Sequence, residues 1–167
     1  MELKRRFNWR RLFTILYIGA FLVYVVIGLQ PVEARHYEIS GNLNIPSISL
    51  NSDVTTLELN DRRLETPDTI VGSYSKYSSK VLLIGHSTTV FKDLNKTRLG
   101  DYIYYNGELF VATEIKTLLK GDIDMNMVLA PSKDPTIIIM TCAGESLDNH
   151  DATHRLIITA TKVFANE

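Results

Sequence analysis

Residues 136–144 have the sequence TIIIMTCAG and residues 154–160 have the sequence HRLIITA, with a polar segment, 145–153, between them. Apolar, β-branched runs of this length are typical of buried strands rather than helices. Cys142, the single cysteine, therefore lies where a buried strand reaches the surface, and Arg155 lies where the next strand begins. If the two strands pair as a long hairpin, the thiol and the guanidinium come to the same rim. A thiol beside a fixed cation is a candidate nucleophile, because positive charge favours the thiolate.

A second run of the same form lies earlier in the chain. Residues 81–86 have the sequence VLLIGH, an apolar strand followed by glycine and histidine. An imidazole can act as a base near neutral pH. A lone cysteine is most often a small buried hydrophobe, but His86 at a comparable strand end favours a catalytic interpretation of Cys142.

The composition allows one globular domain with an accessory segment. The chain has 167 residues, of which 45% are hydrophobic and 22% are charged, and its formal net charge is -1. A near-neutral charge of this kind argues against a nucleic-acid-binding surface. One cysteine cannot form an internal disulfide. A single free thiol in an extracellular domain would be unusual, which would indicate a reactive group.

The N-terminus has the pattern of a membrane anchor. Residues 1–11 are rich in lysine and arginine, and residues 12–29 contain no charge. A run of about 18 residues is near the lower limit for a helix that spans a bilayer. Basic residues before such a span keep the N-terminus in the cytoplasm, so residues 30–42 would be a linker and residues 43–167 an extracellular domain. The alternative is a cleaved signal peptide, for which Val32-Glu33-Ala34 offers a cleavage site.

The remaining sequence predicts an all-β domain that begins near Leu43. Strand patterns precede the histidine at residues 44–50, 54–59, 69–74 and 81–85. Asn106-Gly107 separates two further strand patterns and predicts a hairpin, because both residues tolerate positive φ. Residues 120–134 predict a longer loop with a turn of helix. Many short strands, little helix and no internal repeat favour an all-β barrel or sandwich.

Five short motifs, in this order, resemble those of the sortases, which are membrane-anchored cysteine transpeptidases of the bacterial surface. They are IPSI at 45–48, IGH at 84–86, FKDL at 91–94 followed by LGDYI at 99–103, TC at 141–142 and RLI at 155–157. The resemblance covers residues 44–160. It implies a closed β-barrel of about eight strands with one or two short helical turns. Segment 66–74 is more similar to class D, E or F sortases than to class A or B.

The resemblance also implies a role for each candidate residue. Cys142 would attack the carbonyl between Thr and Gly of an LPXTG-like sorting signal, and an amine of the cell wall or of a pilin would resolve the thioacyl intermediate. His86 would serve as acid and base. Arg155 would bind the substrate backbone or the developing oxyanion, because a guanidinium keeps its proton and holds several donors in one plane.

Neighbours of the nucleophile are candidates for the oxyanion site. The Thr141 hydroxyl and the backbone amides of Ala143 or Gly144 could donate there. The alternative interpretation of Arg155 is structural, as a strand-edge arginine paired with Asp148 or Asp151.

No cofactor is expected. A zinc site would use Cys142, His150 and His154, but the loop is not obviously helical and a fourth ligand is lacking. Calcium would need a dense run of carboxylates, whereas the available acids are scattered: Glu114, Asp122 and Asp124.

Three functions are compatible with the sequence. The first is a sortase acting on surface-protein sorting signals, with an amine acceptor from cell wall or pilin and no nucleic-acid partner. The second is a surface cysteine peptidase with the same three side chains, in which water replaces the amine. The third is a tethered, non-catalytic β-barrel that binds peptides. The enzyme hypotheses predict that His86 and Cys142 face one groove and that Arg155 approaches Cys142 from the opposite side. The third predicts that they do not converge.

Overall fold

The computed structural model describes residues 17–19, 37–61, 63–147 and 151–164. The predicted membrane span, 12–29, lies outside the described residues except for 17–19, which are helical. Within the described ranges, no helix is both long and apolar enough to cross a membrane. The β domain belongs to the unit Tyr37–Glu167, and its first strand begins before the predicted start at Leu43.

Eight strands form a closed barrel in the order β1-β2-β3-β4-β7-β8-β6-β5, which confirms the predicted all-β barrel. Their bounds are β1 Ile39–Ile45, β2 Leu50–Thr56, β3 Val71–Tyr77, β4 Lys80–Ile84, β5 Tyr102–Tyr105, β6 Glu108–Leu119, β7 Thr136–Leu147 and β8 Asp151–Lys162. In the described domain the short helices are more numerous than the one or two predicted: 3-10 turns Pro46–Ile48, Leu94–Lys96 and Lys120–Asp122, and the helix α1, Met125–Leu129.

Strands β4, β7 and β8 are neighbours and are buried on both faces. Alternate residues of β7, such as Ile137 and Ile139, pack inside the barrel. The intervening residues, Ile138 and Met140, join an outer apolar cluster with Leu82 and Ile157, against which α1 residues also pack. A strand that is covered on both sides needs apolar side chains at every position, which explains the uninterrupted run before Cys142.

The loop after β4 closes one end of the barrel core. Phe91 and Leu94 are buried in the interior cluster, together with Ile103 of β5. A Cβ atom at Gly85 would lie 2.5 Å from Val90 Cγ1 and 2.8 Å from the Phe91 ring. Glycine is therefore needed at residue 85 so that this loop can pack against the chain just before His86.

Two predictions of local structure were wrong. Residues 44–50 are not one strand, because Pro46 starts a 3-10 turn and Ser49 has a φ of 54° before β2 begins. Proline is common at the first position of a helical turn, because the N–H that it lacks would have no partner within the turn. Residues 145–153 are not simply a loop, since β7 continues to Leu147 and β8 starts at Asp151. Residues 145–147 are exposed, and Ser146 and Leu147 pair with Ala152 and Asp151 after a register shift between Ala143 and Ser146.

The predicted hairpin at Asn106-Gly107 is confirmed. Both residues have positive φ, 51° and 80°, and they join β5 to β6 in an antiparallel pair. This is the conformation that a tight two-residue hairpin turn requires.

Candidate active site

His86 and Cys142 are delivered by two parallel neighbouring strands. Strands β4 and β7 pair in parallel, and the last pair in their register joins Ile84 to Met140. His86 and Cys142 each lie two residues further along the chain, His86 just beyond the end of β4 and Cys142 still within β7. Because paired parallel strands run about 4.8 Å apart, this register brings the two residues to the same rim of the barrel.

Arg155 reaches the same rim from the other side of Cys142. Strands β7 and β8 are antiparallel, and Cys142 lies directly opposite Arg155 in their register. Directly opposed residues present their side chains on the same face of a sheet. That face is the outer one, which Met140 and Ile157 also occupy. The strand order therefore puts Cys142 in the middle, with His86 on one side and Arg155 on the other.

One cavity of about 1090 Å³ is lined by His86, Cys142 and Arg155 together. Its apolar lining includes residues from β4, β7 and α1: Leu82, Ile84, Leu129 and Met140. His86 and Cys142 also line a second, more polar cavity of about 690 Å³ on the side of Ser87, Thr89 and Gly144. The three residues therefore border one cavity, as the enzyme hypotheses expect, and their catalytic roles stay a prediction.

The Cys142 thiol is free and half-buried. The His86 ring is half-buried as well, and within the described ranges no hydrogen bond or ion pair fixes it. The His86 carbonyl accepts from the backbone N–H groups of Thr89 and Phe91, which turn the following loop back over the barrel end. The backbone is therefore anchored while the imidazole remains available to a substrate.

Arg155 is held by contacts on its own strand. Its Nη2 lies 2.6 Å from Asp151 Oδ1, and only 15% of its side chain is exposed. Its Nη1 donates to the carbonyls of Ala152, at 3.0 Å, and His154, at 2.9 Å. The ion pair with Asp151 is the one that the structural interpretation of this arginine foresaw. The same side chain nevertheless lines the cavity that holds Cys142.

Thr141 links β7 to the chain just after β4. Its buried hydroxyl donates to the carbonyl oxygen of Gly85 over 2.8 Å. A hydroxyl has one proton, so Thr141 has none to offer an oxyanion while this bond persists. The backbone amides of Ala143 and Gly144, which both border the polar cavity, remain as predicted oxyanion donors.

The proposed zinc ligands do not converge in the described part. His150 lies outside the described residues. His154 and Arg155 are adjacent in β8 and therefore lie on opposite faces of that strand. The His154 ring bonds instead to the Thr153 hydroxyl over 2.8 Å. It also crowds Gly144, where an added Cβ atom would lie 2.5 Å from His154 Nδ1. Gly144 has a φ of 78°, so both space and backbone conformation favour glycine there.

The acidic residues considered for calcium have other contacts. Glu114 pairs with Lys116 at 2.6 Å, and Asp124 accepts from the Asn126 N–H at the start of α1 over 2.9 Å. Among the described side chains, no three histidine, cysteine or acidic groups are placed to hold a metal. The expectation of no cofactor stays a prediction.

Sequence reasoning missed two features of the site. Lys120 contacts the second carboxylate oxygen of Asp151, and Asp68 lines the polar cavity beside His86. Neither has a local signal, because both depend on which strands are neighbours. The proximity of Lys120 follows from the β6–β8 register, in which Leu119 lies opposite His154.

The chain belongs to the sortase family, because residues 43–163 match the Sortase domain. Members of this family are cysteine transpeptidases, and sorting signals are their substrates. A comparison with curated proteins gives no match.

Solved sortases share the fold at low sequence identity. Listeria monocytogenes sortase A is 19% identical with a TM-score of 0.59, over 75% of this chain and 88% of that one. Corynebacterium diphtheriae sortase A is 22% identical with a TM-score of 0.58, over 89% and 70% of the two chains. Sortase C2 of pilus island 1 from Group B Streptococcus is 18% identical with a TM-score of 0.60, over 78% and 77%. The assignment to class D, E or F stays a prediction.

Proposed function

We propose that this chain joins an LPXTG-like sorting signal to an amine through a thioester on Cys142. The sulfur attacks the carbonyl carbon of the Thr–Gly bond. The C–N bond then breaks, and His86 gives a proton to the leaving glycine amine. An incoming amine gives up a proton to His86, forms the new amide and releases the thiolate. The thioester keeps the acyl group activated between the two steps.

Arg155 supplies fixed positive charge and N–H donors in this proposal. Its position opposite Cys142 on the outer face of the β7–β8 hairpin suits contact with the oxygen that becomes negative in the transition state. It does not act as an acid, because a guanidinium keeps its proton.

The observation that carries the proposal is the shared cavity of about 1090 Å³, lined by the thiol, the imidazole and the guanidinium. Its apolar lining supports an occupant with apolar side chains, such as the Leu and Pro of an LPXTG-like peptide. The register of β4 with β7 and of β7 with β8 supports the same grouping independently.

A peptide library with an amine acceptor tests the function. The full chain is incubated with both, and mass spectrometry reports the cleaved bond and the group attached to the new C-terminus. We expect cleavage within one motif class and an amide to the acceptor. Cys142→Ala abolishes both products without a loss of folded protein; unchanged turnover in that variant would eliminate the proposed nucleophile.

The same product analysis distinguishes the proposed transpeptidase from the alternative, a surface cysteine peptidase. That enzyme would use the same three side chains but release a free carboxylic acid at every acceptor concentration. A transpeptidase gives an increasing share of amide as the acceptor concentration rises.

We also propose that residues 12–29 anchor the chain in the cell membrane, with residues 1–11 cytoplasmic and the catalytic domain outside. The support is the charge-free run after a basic segment, since cytoplasmic flanks of membrane spans are enriched in lysine and arginine. Protease added to intact spheroplasts should digest the domain beyond residue 37. Protection of that domain, with digestion only after lysis, would contradict this orientation.

A further inference from the structure

Asp151 joins the strand that carries Arg155 to the segment that follows β6. Its Oδ1 lies 2.6 Å from Arg155 Nη2, and its Oδ2 contacts Lys120 Nζ. Lys120 starts the 3-10 turn Lys120–Asp122 that leads to α1. Asp151 and Arg155 both line the cavity that holds Cys142. The carboxylate therefore lies at the active-site rim between two cations.

The environment keeps this carboxylate charged. Hydrogen bonds from Lys120, then Arg155, and then the Ala152 N–H hold the pKa of Asp151 well below its usual range. It remains ionised throughout the pH range in which an imidazole titrates. The Arg155 guanidinium thus always faces an anionic partner on this side.

The contacts of Arg155 leave part of its fork unused. A guanidinium has five N–H donors. Two hydrogen bonds from Nη1 to the carbonyls of Ala152 and His154, and one from Nη2 to Asp151, are present. The Nε–H and the second Nη2 hydrogen have no partner among the described residues. These contacts already restrict the rotamer of Arg155. Binding a substrate oxygen through its free donors therefore costs less side-chain entropy than it would for an unrestrained arginine.

We propose that Asp151 is a positioning residue for Arg155, fixing the guanidinium plane so that its free donors meet the substrate beside Cys142. This inference rests on the proposed function of Arg155. Asp151 itself does not touch the reacting atoms; it acts only through the arginine. Lys120 contacts the other oxygen of the carboxylate and affects Arg155 only through Asp151.

A double-mutant cycle on the full chain tests this role. The variants are Asp151→Asn, Asp151→Ala, Arg155→Ala and the double variant Asp151→Asn with Arg155→Ala. The readout is the single-turnover rate of sorting-peptide cleavage, with kcat and KM measured separately and the melting temperature as a check on folding. Glu108→Gln is the matched control, because it removes an ion pair elsewhere in the barrel, between Glu108 of β6 and Lys162 of β8 at 2.5 Å, and neither residue lines the cavity that holds Cys142.

Asp151→Asn and Asp151→Ala are expected to lower the cleavage rate about 10- to 100-fold, mainly in kcat, because a displaced catalytic group loses rates of this order. In the Arg155→Ala background, Asp151→Asn should have no further effect. Glu108→Gln should cleave at the parent rate. A merely structural ion pair would move the melting temperature and leave kcat of the folded fraction unchanged.

Two results would overturn the positioning role while leaving the proposed function standing. One is parental kcat in both Asp151 variants. The other is an equal loss on mutating Asp151 whether or not Arg155 is present, which would mean that the carboxylate acts independently. If Arg155→Ala itself retained the parent rate, the proposed function of the arginine would fail first, and the inference would fail with it.

Discussion

Replacing Thr141 by valine removes one hydrogen bond between the two strands that carry His86 and Cys142. Valine has nearly the shape of threonine, so the packing of the buried side chain is kept. What is lost is the bond of 2.8 Å from the hydroxyl to the carbonyl oxygen of Gly85. Thr141 is only 5% exposed, so water cannot readily replace the missing donor.

The expected cost in stability follows from that burial. A buried acceptor left without its partner destabilises a protein by about 1 to 3 kcal/mol. For a chain of this size, 1 kcal/mol corresponds to a melting-temperature shift of roughly 2 to 4 °C. The rate of peptide cleavage by the folded protein should also fall, by about 10-fold or more. Gly85 precedes His86, and a small displacement of a catalytic group slows the reaction strongly.

Ser73→Ala provides the matched control for this prediction. Ser73 is also 5% exposed, and its hydroxyl donates to the carbonyl of Thr55 on a neighbouring strand over 3.1 Å. Both variants should lose similar stability by thermal unfolding, but only Thr141→Val should cleave a sorting peptide slowly. Equal cleavage rates in the two folded variants would refute the idea that this bond positions the site. Thr141→Ser, which keeps the hydroxyl, should restore most of the rate.

Three further predictions follow from individual contacts. Gly85→Ala should destabilise the domain by about 1 to 3 kcal/mol through overpacking and slow cleavage, as thermal unfolding and a peptide assay would report; an unchanged melting temperature would contradict the clash. The pKa of Asp101 is lowered by the backbone N–H of Arg98 and then the Ser47 hydroxyl, so its stabilising effect is present above about pH 4 and is lost as the pH falls through the lowered value. Asp101→Asn should therefore melt earlier than the parent at pH 7, by a deficit that shrinks as the pH falls through the lowered pKa; a deficit that stays constant down to acid pH would argue against it. Arg155→Lys should reduce kcat about 100-fold or more, because a point charge does not replace a planar fork at an oxyanion, and near-parental kcat would remove that role.

The strands that carry the site could be predicted from the sequence because their burial is unusual. Residues 81–84 and 137–140, shortly before His86 and Cys142, are apolar at every position, which is the pattern of strands covered on both faces. The β5–β6 hairpin also had a local signal in Asn106-Gly107, whose positive φ values the structure confirms.

Pairings between strands that are distant in the sequence could not be predicted, because no local signal specifies them. The parallel pairing of β4 with β7 brings together residues that are 56 apart in the chain, such as Thr141 and Gly85. The contact of Lys120 with Asp151 depends on the β6–β8 register in the same way. Sequence reasoning named Asp151 as one possible partner of Arg155 because the two are close in sequence, and it missed Lys120 because that contact is long-range.

Several residues that carry the family resemblance have structural rather than chemical roles. Phe91, Leu94 and Ile103 are buried in the interior cluster. Asp101 accepts from the Arg98 N–H over 2.9 Å and from the Ser47 hydroxyl over 2.7 Å, which ties the turn before β5 to the 3-10 turn after β1. These motifs indicate the barrel, whereas His86, Cys142 and Arg155 indicate its chemistry.

In the proposed reaction, the sulfur of Cys142 carries the acyl group of the cleaved peptide. The most direct measurement is intact and peptide-level mass spectrometry of the full chain after mixing with a sorting-signal peptide, without an amine acceptor, and quenching in acid. We expect a mass increase equal to the N-terminal peptide fragment, located on Cys142 and removed by hydroxylamine. Peptide cleavage with no adduct on Cys142 at any quench time, or an adduct that persists in Cys142→Ala, would contradict it.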